Sequence, residues 1–436
     1  MKLIKKLFAL FSPLELVILM VSITISTLLV VPAFSKDTQK KTPILLFPTE
    51  KVYNTDGGRP IEVFDTSFFV VYEEVEEQTQ NDIKAILNEY LISYHKLFDR
   101  HNDYYAVEPH DNIHPTAEEK ATLPRIKNLK YINEHKGEEI EIHQALYDLL
   151  VASKSYSINT PNNAFSMFIG ELYDYWKPYT SPGADPTKDP VRDDLKQAEI
   201  ARLTSYIPQS EDDINNTLKL WTNDNKYYVQ FNEFNHSGDD LSISVGAVAK
   251  GMMTDILAEA MRAKGLTKGL IYGGQSSFTF LEDGFMNKAY KITMEPIGPG
   301  EKTFTMSRAD QYQMSTSGIY TGFKFNYGGA QIIRSHIINP LTGYPAHNSH
   351  HMVNITSDTL SGLTLDYLTT ALTVLSVQDG LTFLSEEYPS DDINVIYSGY
   401  FNDEWFVAFT NGYPGGKTPS FQLAKEYREI NLESLL

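Results

Sequence analysis

From Leu16 to Ser35 the chain carries no charged residue, a run of about 20 residues that as a helix crosses roughly 30 Å of hydrocarbon. Lys2, Lys5 and Lys6 precede it and Lys36, Lys40 and Lys41 follow, so the positive-inside signal does not cleanly orient the span. A cleaved signal peptide is the rival reading, with Ala33-Phe34-Ser35 as a small-x-small site. The apolar run contains no shorter stretch set apart within it, which favours an uncleaved membrane anchor over residues 1–35. Residues 36–60 are polar, with Lys, Thr, Pro and Gly, and read as a stalk. No second run of that kind follows, so residues 61–436 are expected together on one side of the membrane, outside the cell.

Beyond the stalk the pattern changes period repeatedly. Ile61 to Tyr72 is rich in β-branched and aromatic residues and predicts a strand. Asn81 to Phe98 has Ile83, Ile86, Leu87, Tyr90, Leu91 and Tyr94 at helical spacing. His101 to Asn128 is polar and predicts a surface insertion; Glu139 to Ser155 predicts an amphipathic helix. Lys177 to Pro190, rich in Pro, Gly and Asp, predicts a loop or junction, followed by a helix from about Asp193 to Tyr206. Strands are expected at Tyr227–Phe231, Gly269–Tyr272, Phe278–Leu281 and Ala289–Met294, and helices at Met252–Ala263 and Leu365–Leu375. Hairpin-like strands mixed with separate helices point to an α+β fold rather than a regular doubly wound sheet.

Composition narrows the function. Of 436 residues, 42% are hydrophobic and 21% charged, and the 27 Tyr and 23 Phe argue for a packed core rather than disorder. A formal net charge of −19 gives no basic face to neutralise phosphates, which excludes a general nucleic-acid binder. There is no cysteine, so disulfides, thiolate metal sites and cysteine nucleophiles are excluded.

Three segments carry candidate chemistry. Gly246-Ala247-Val248-Ala249-Lys250-Gly251 opens a helix that Gly265 stops; glycines and first-turn N–H groups suit a phosphate, and Lys250 adds a cation. The bland reading is an ordinary strand-to-helix turn with a surface lysine. Asp366 and Thr370 are spaced i, i+4 on one helical face, an acid and a hydroxyl suited to Mg²⁺. The bland reading makes Asp366 a first-turn acid favourable to the helix dipole. In Ser335-His336-Ile337-Ile338-Asn339-Pro340-Leu341-Thr342-Gly343-Tyr344-Pro345, a histidine ends an apolar strand before two turns, a good place for a side chain aimed into a cleft. His347, His350 and His351 lie nearby without acid or thiol company and read as loop histidines rather than a zinc site.

The order of these segments is more informative than any one of them. The Gly246–Gly251 loop is followed by Ile271-Tyr272-Gly273-Gly274, then Thr316-Ser317-Gly318, then the His336 segment, then the Asp366 helix; Asn163-Ala164-Phe165-Ser166 and a Leu172…Trp176 pair lie upstream. This succession resembles the ApbE-type FAD:protein FMN transferase family, most clearly from Asn163 to Leu375 and more faintly back to Phe64-Asp65-Thr66. The resemblance implies an ApbE/T-fold-like arrangement of mixed sheets with packed helices over 61–436. It implies that FAD is a substrate, that FMN passes to a threonine of an acceptor flavoprotein, and that AMP leaves. It implies Mg²⁺ at the Ala247 carbonyl, Asp366 and Thr370, with Thr369 where some relatives have another acid. Ala164, Phe165, Ser166, Ser244, Lys250 and Ile338 fall at FAD-contact positions, and His336, with Asp366, at catalytic ones.

Four acids usual in the family are neutral here: Ser166, Ser244, Gln275 and Asn339 stand at their positions. A FAD-binding or flavin-delivery protein with weak or no transfer activity is therefore the alternative to a working transferase. No Asp-x-x-Ser/Thr-Gly-Ala-Thr-like acceptor stretch occurs in the chain, so it is not expected to flavinylate itself at such a site.

Overall fold

A computed structural model describes residues 43–49, 63–105, 122–181, 183–281, 313–319, 322–327, 330–401, 404–410 and 427–432, with short strands at 28–30, 52–53, 60–61, 290–294 and 304–308. The architecture is α+β, built on a nine-stranded sheet. Its order runs Tyr427–Asn431, Glu404–Phe409, Ile393–Phe401, His350–Ser357, Gln313–Gly318, Ser277–Leu281, Gly269–Gly273, Phe68–Glu73, Pro43–Leu46. Neighbours are antiparallel except the first pair, which is parallel. Two of its inner strands, Gly269–Gly273 and Ser277–Leu281, are buried at every residue, the polar Ser277 and Thr279 included.

Helices Ala249–Ala263 and Gly362–Val374 pack side by side on this sheet, the first over the Gly269 and Ser277 strands, the second over the Gln313 and His350 strands. Both bury their apolar sides: Met253, Leu257, Ala258 and Met261 on one, Leu365, Leu368, Ala371 and Leu372 on the other. At their crossing the backbones touch. A Cβ on Gly251 would stand 2.1 Å from the Gly362 carbonyl oxygen, so only glycine fits there. The Glu77–Phe98 helix packs beside Ala249–Ala263, and a three-stranded antiparallel sheet of Glu139–Ile142, Lys226–Phe231 and Leu218–Asn223 joins the Gln144–Asn159 helix.

Some expectations shift. The strand expected from Ile61 is a tight turn at Val63–Asp65 followed by a strand at Phe68–Glu73. Glu139–Ile142 is a strand, not the start of a helix: Glu-Ile-Glu-Ile alternates exposed and buried with period two, and the helix begins at Gln144 behind a His143 cap. The Gly170–Thr180 helix runs through Pro178 into the stretch read as a loop, the proline sitting in its last turn. His350 and His351 are not on a loop but open the His350–Ser357 strand. His350 is 1% exposed, with Nε2 2.9 Å from the Leu372 carbonyl and its ring against Tyr397. The predicted membrane helix lies outside the described residues apart from Leu28–Val30, which is extended and pairs with Ile292–Met294. Among the described residues no helix is long and apolar enough to cross a membrane.

Candidate active site

A cleft of about 510 Å³ opens where the helix pair, the Ala164–Ile169 segment, the Phe64–Thr66 turn and the His336 segment meet. It gathers residues from positions 64 to 370 of the chain. Ala164, Phe165, Ser166, Ser244, Ala247, Lys250, His336, Ile338, Asp366 and Thr370 all line it. Thr369 and Asn339 do not appear on its walls.

Asp366 is the most tightly held of these. It is 3% exposed, and its Oδ1 accepts from the Ser277 and Ser315 hydroxyls, both at 2.6 Å, while Oδ2 accepts the Gly251 N–H at 2.7 Å. Burial pushes its carboxyl pKa up; the Lys250 cation and these donors pull against it. It lies in the second turn of Gly362–Val374, whose N-cap is Ser361, so the first-turn dipole reading of Asp366 does not hold. The Gly251 N–H, expected to be free for a phosphate, is spent on Asp366. Gly251 serves the helix crossing, and Gly246 is the loop glycine that faces the cleft.

A second acid that sequence reasoning missed completes the junction. Asp255, on the Ala249–Ala263 helix, accepts the Gly362 N–H at 2.8 Å and the Leu363 N–H at 3.0 Å, and also the Gln313 amide at 3.0 Å. Burial lifts its pKa to about 6. Each helix therefore carries a carboxylate that accepts backbone N–H groups of the other. Its signal in the sequence was an acid four residues beyond Gly251 on the same helix.

His336 follows the Ala330–Arg334 strand directly. Arg334 grips buried Asp189 through Nε and Nη2, at 3.1 and 2.8 Å to Oδ2, which fixes the strand end two residues before the histidine. On the other side Asn339 Oδ1 accepts the Leu341 and Thr342 N–H groups, and Trp176 Nε1–H donates to the Gly343 carbonyl at 2.7 Å. Gly343 has φ +79°, and a Cβ there would meet Thr204 Oγ1 at 2.0 Å. Asn339 thus holds the turn rather than the ligand. Crowding by protein, then the Lys250 cation, push the His336 pKa down toward about 4. The residue is nonetheless exposed to solvent at the cleft, which screens both effects.

Ser166 is buried and its Oγ accepts the Phe168 N–H at 3.1 Å. Ser244 reaches the same wall because its N–H donates to the Met167 carbonyl at 2.8 Å. Phe165 packs edge-on against Tyr367.

Among the described residues no group of three His, Cys, Asp or Glu side chains is placed to hold a metal. Ala247, Asp366 and Thr370, the residues the resemblance gives for Mg²⁺, all line the cleft, and a backbone carbonyl, a carboxylate and a hydroxyl are oxygen donors of the kind Mg²⁺ takes. A carboxylate offers about four acceptor positions; three on Asp366 are filled, which leaves one on Oδ2. The donor set fits Mg²⁺ with one protein charge and phosphate or water completing the shell. Thr369 does not belong to it. Its side chain is fully buried and its hydroxyl is engaged with Ser315, Ser317 and the Asp366 carbonyl.

Residues 118–395, well over half of the chain, match the ApbE family, and the chain belongs to it. A protein named FAD:protein FMN transferase from Treponema pallidum (strain Nichols) is 29% identical over 165 residues, 36% of this chain and 44% of that protein. One of the same name from Vibrio cholerae serotype O1 is 26% identical over 156 residues, 35% of this chain and 44% of the relative. The chain thus spans less than half the length of these relatives. In fold it is similar to the ApbE protein of Thermotoga maritima, with TM-score 0.56 at 17% identity over 82% of this chain and 94% of that one. The flavinyl transferase ApbE of Pseudomonas stutzeri, in its apo form, gives 0.58 at 15% identity over 88% and 99%.

Proposed function

We propose that this protein transfers FMN from FAD to a threonine of an acceptor flavoprotein outside the cell, releasing AMP. The observation that carries the reading is one cleft, in a chain of the ApbE family, that brings Lys250, His336, Asp366, Thr370 and Ala247 together. The acceptor hydroxyl attacks the phosphorus on the FMN side, the P–O bond to AMP breaks, and His336 takes the hydroxyl proton. A histidine with a lowered pKa is neutral at pH 7 and free to accept it. Lys250 faces the phosphates as a point charge. Mg²⁺ held by the Ala247 carbonyl, Asp366 and Thr370 would supply charge compensation on the phosphate oxygens. Ala164, Phe165, Ser166, Ser244 and Ile338 form the walls around the dinucleotide.

The grounds for a membrane tether at 1–35, a stalk at 36–60 and a single transferase domain over 61–436 are in the sequence alone. Fractionation with protease access from outside tests the location. For the activity, the protein is incubated with FAD, Mg²⁺ and a candidate acceptor. The expected result is AMP release matched mole for mole by flavin fluorescence on the denatured acceptor, lost with EDTA and with an acceptor Thr→Ala variant. Intact FAD after prolonged incubation would leave only binding or delivery.

A further inference from the structure

One wall of the cleft is made by Phe64, Asp65, Thr66, His95 and Asp99. Phe64 and Asp65 both have left-handed backbone, φ 54° and 52°, a conformation bulky side chains avoid unless their surroundings impose it. The surroundings here are explicit. The Phe64 N–H donates to Nδ1 of buried His95 at 3.0 Å, the Thr66 N–H closes the turn on the Val63 carbonyl at 3.2 Å, and the Phe64 ring packs edge-on against His95 and Phe98.

Because Nδ1 accepts, neutral His95 carries its proton on Nε2, which lies 3.2 Å from the Tyr104 hydroxyl. That hydroxyl donates to Asp99 Oδ2 at 2.7 Å. Asp99 is filled further by the His101 N–H and the Asn102 amide. Burial pushes the His95 pKa down, against the pull of Asp99 and Asp65, so the accepting nitrogen stays free near neutral pH. The side chains of His95, Tyr104 and Asp99 are thus all matched, unlike the carboxylate that the turn presents. Asp65 is exposed to the cleft and accepts no hydrogen bond from the described residues.

Asp65 acts electrostatically on His95, Tyr104 and Tyr173, whereas Lys250 acts on His336 and Asp366. Arg100 also lines the cleft and acts on Tyr173, but its guanidinium is engaged by Asp174, the Ser242 hydroxyl and the Gly170 carbonyl. We propose that Asp65 is a specificity-determining residue: an acceptor-only carboxylate, held by the His95-pinned turn, that takes the hydroxyl or N–H donors at one end of the dinucleotide, away from the pyrophosphate at Lys250. This rests on the flavin-transferase reading above. Such a group repels phosphate and leaves a donor-free ligand unpaired, so it sets which way round the dinucleotide lies.

The test compares the full-length chain with Asp65→Gly and Asp65→Asn, reading FAD affinity by flavin fluorescence, then FMN and AMP separately, with the thermal midpoint alongside. Glycine adopts φ 52° freely, so Asp65→Gly is expected to keep or raise the midpoint. It should weaken FAD about tenfold or more, the range of a lost hydrogen bond to a charged group. Asp65→Asn should fall between, and the loss should recur with only one of FMN and AMP, which identifies the end that Asp65 reads. FAD affinity within twofold of wild type in Asp65→Gly overturns the proposal. So does an equal loss for FMN and AMP, or a loss that tracks a fallen midpoint. A wild-type chain that binds no FAD at all removes the transferase reading itself.

Discussion

Asp366 separates charge from packing, and two substitutions take the two apart. In Asp366→Ala the Gly251 N–H is left buried without a partner, at about 1–3 kcal/mol. The Ser277 and Ser315 hydroxyls lose an acceptor too, but each has another within 3.2 Å, at Ser276 and Thr369, so they add little. Relief of a buried carboxylate offsets part of the loss. The net expectation is about 1–3 kcal/mol of destabilisation, more than a side chain facing open water would give. Asp366→Asn keeps the shape: its carbonyl accepts the Gly251 N–H while its amide donates to the two serine oxygens, which turn to accept. That variant should lie within about 1 kcal/mol of wild type, yet lose FMN transfer by roughly 100-fold or more, since a bound divalent ion supplies several kcal/mol of charge stabilisation. Thermal unfolding and transfer to the acceptor are measured on the same preparations. An Asp366→Asn protein that folds like wild type and keeps more than a tenth of the activity would refute the reasoning, because the charge would then have no role beyond the helix junction.

Gly251→Ala forces a methyl into the Gly362 carbonyl at 2.1 Å; with backbone on both sides it should cost about 3 kcal/mol or more, seen as a lowered denaturation midpoint. His336→Asn should lower turnover by about 10²–10⁴ with FAD affinity kept, and the wild-type acidic limb of kcat/KM should lie below pH 6.5 because the base becomes competent as it deprotonates. Buried His350 is neutral when folded, with pKa lowered to about 4 from 6.5. Its contribution is present above pH 6.5 and lost as pH falls toward 4, roughly 3 kcal/mol at full size; urea midpoints across that range should fall less steeply in His350→Gln.

What the sequence made readable was periodicity and turn chemistry. Leu365, Leu368 and Leu372 predicted a buried face, and the turns at Gly246 and Asn339-Pro340 predicted where backbone would change direction. The elements therefore came out nearly in place, and with them the residues of the cleft. Misreadings arose where a side chain answers to a distant partner. Gly251 looked like a phosphate glycine because nothing local says that Gly362 lies against it. Asp255 went unread because its partners, Gly362 and Leu363, are about a hundred residues away. Glu139–Ile142 was too short for its period of two to stand out beside the helix after it. Thr369, placed by resemblance beside the metal, is engaged with Ser315 and Ser317, and Asn339, at a position where the family usually has an acid, is engaged with its own turn.

The exchange of hydrogen bonds between the two helices also sets when the cleft can exist. Gly251 and Asp366 are 115 positions apart, and the strands between them, Gln313–Gly318 and His350–Ser357, pair with segments that are themselves not adjacent in the chain. Closing so long a loop is an entropic barrier that contacts reward only afterwards. A chain emerging from its N-terminus that has reached Lys250 has no Asp366 to receive the Gly251 N–H until more than a hundred further residues have arrived. Asp255 likewise has no helix end to hold. The centre is therefore assembled late, as a product of long-range docking, and a folding intermediate with the N-terminal helices formed would be catalytically silent.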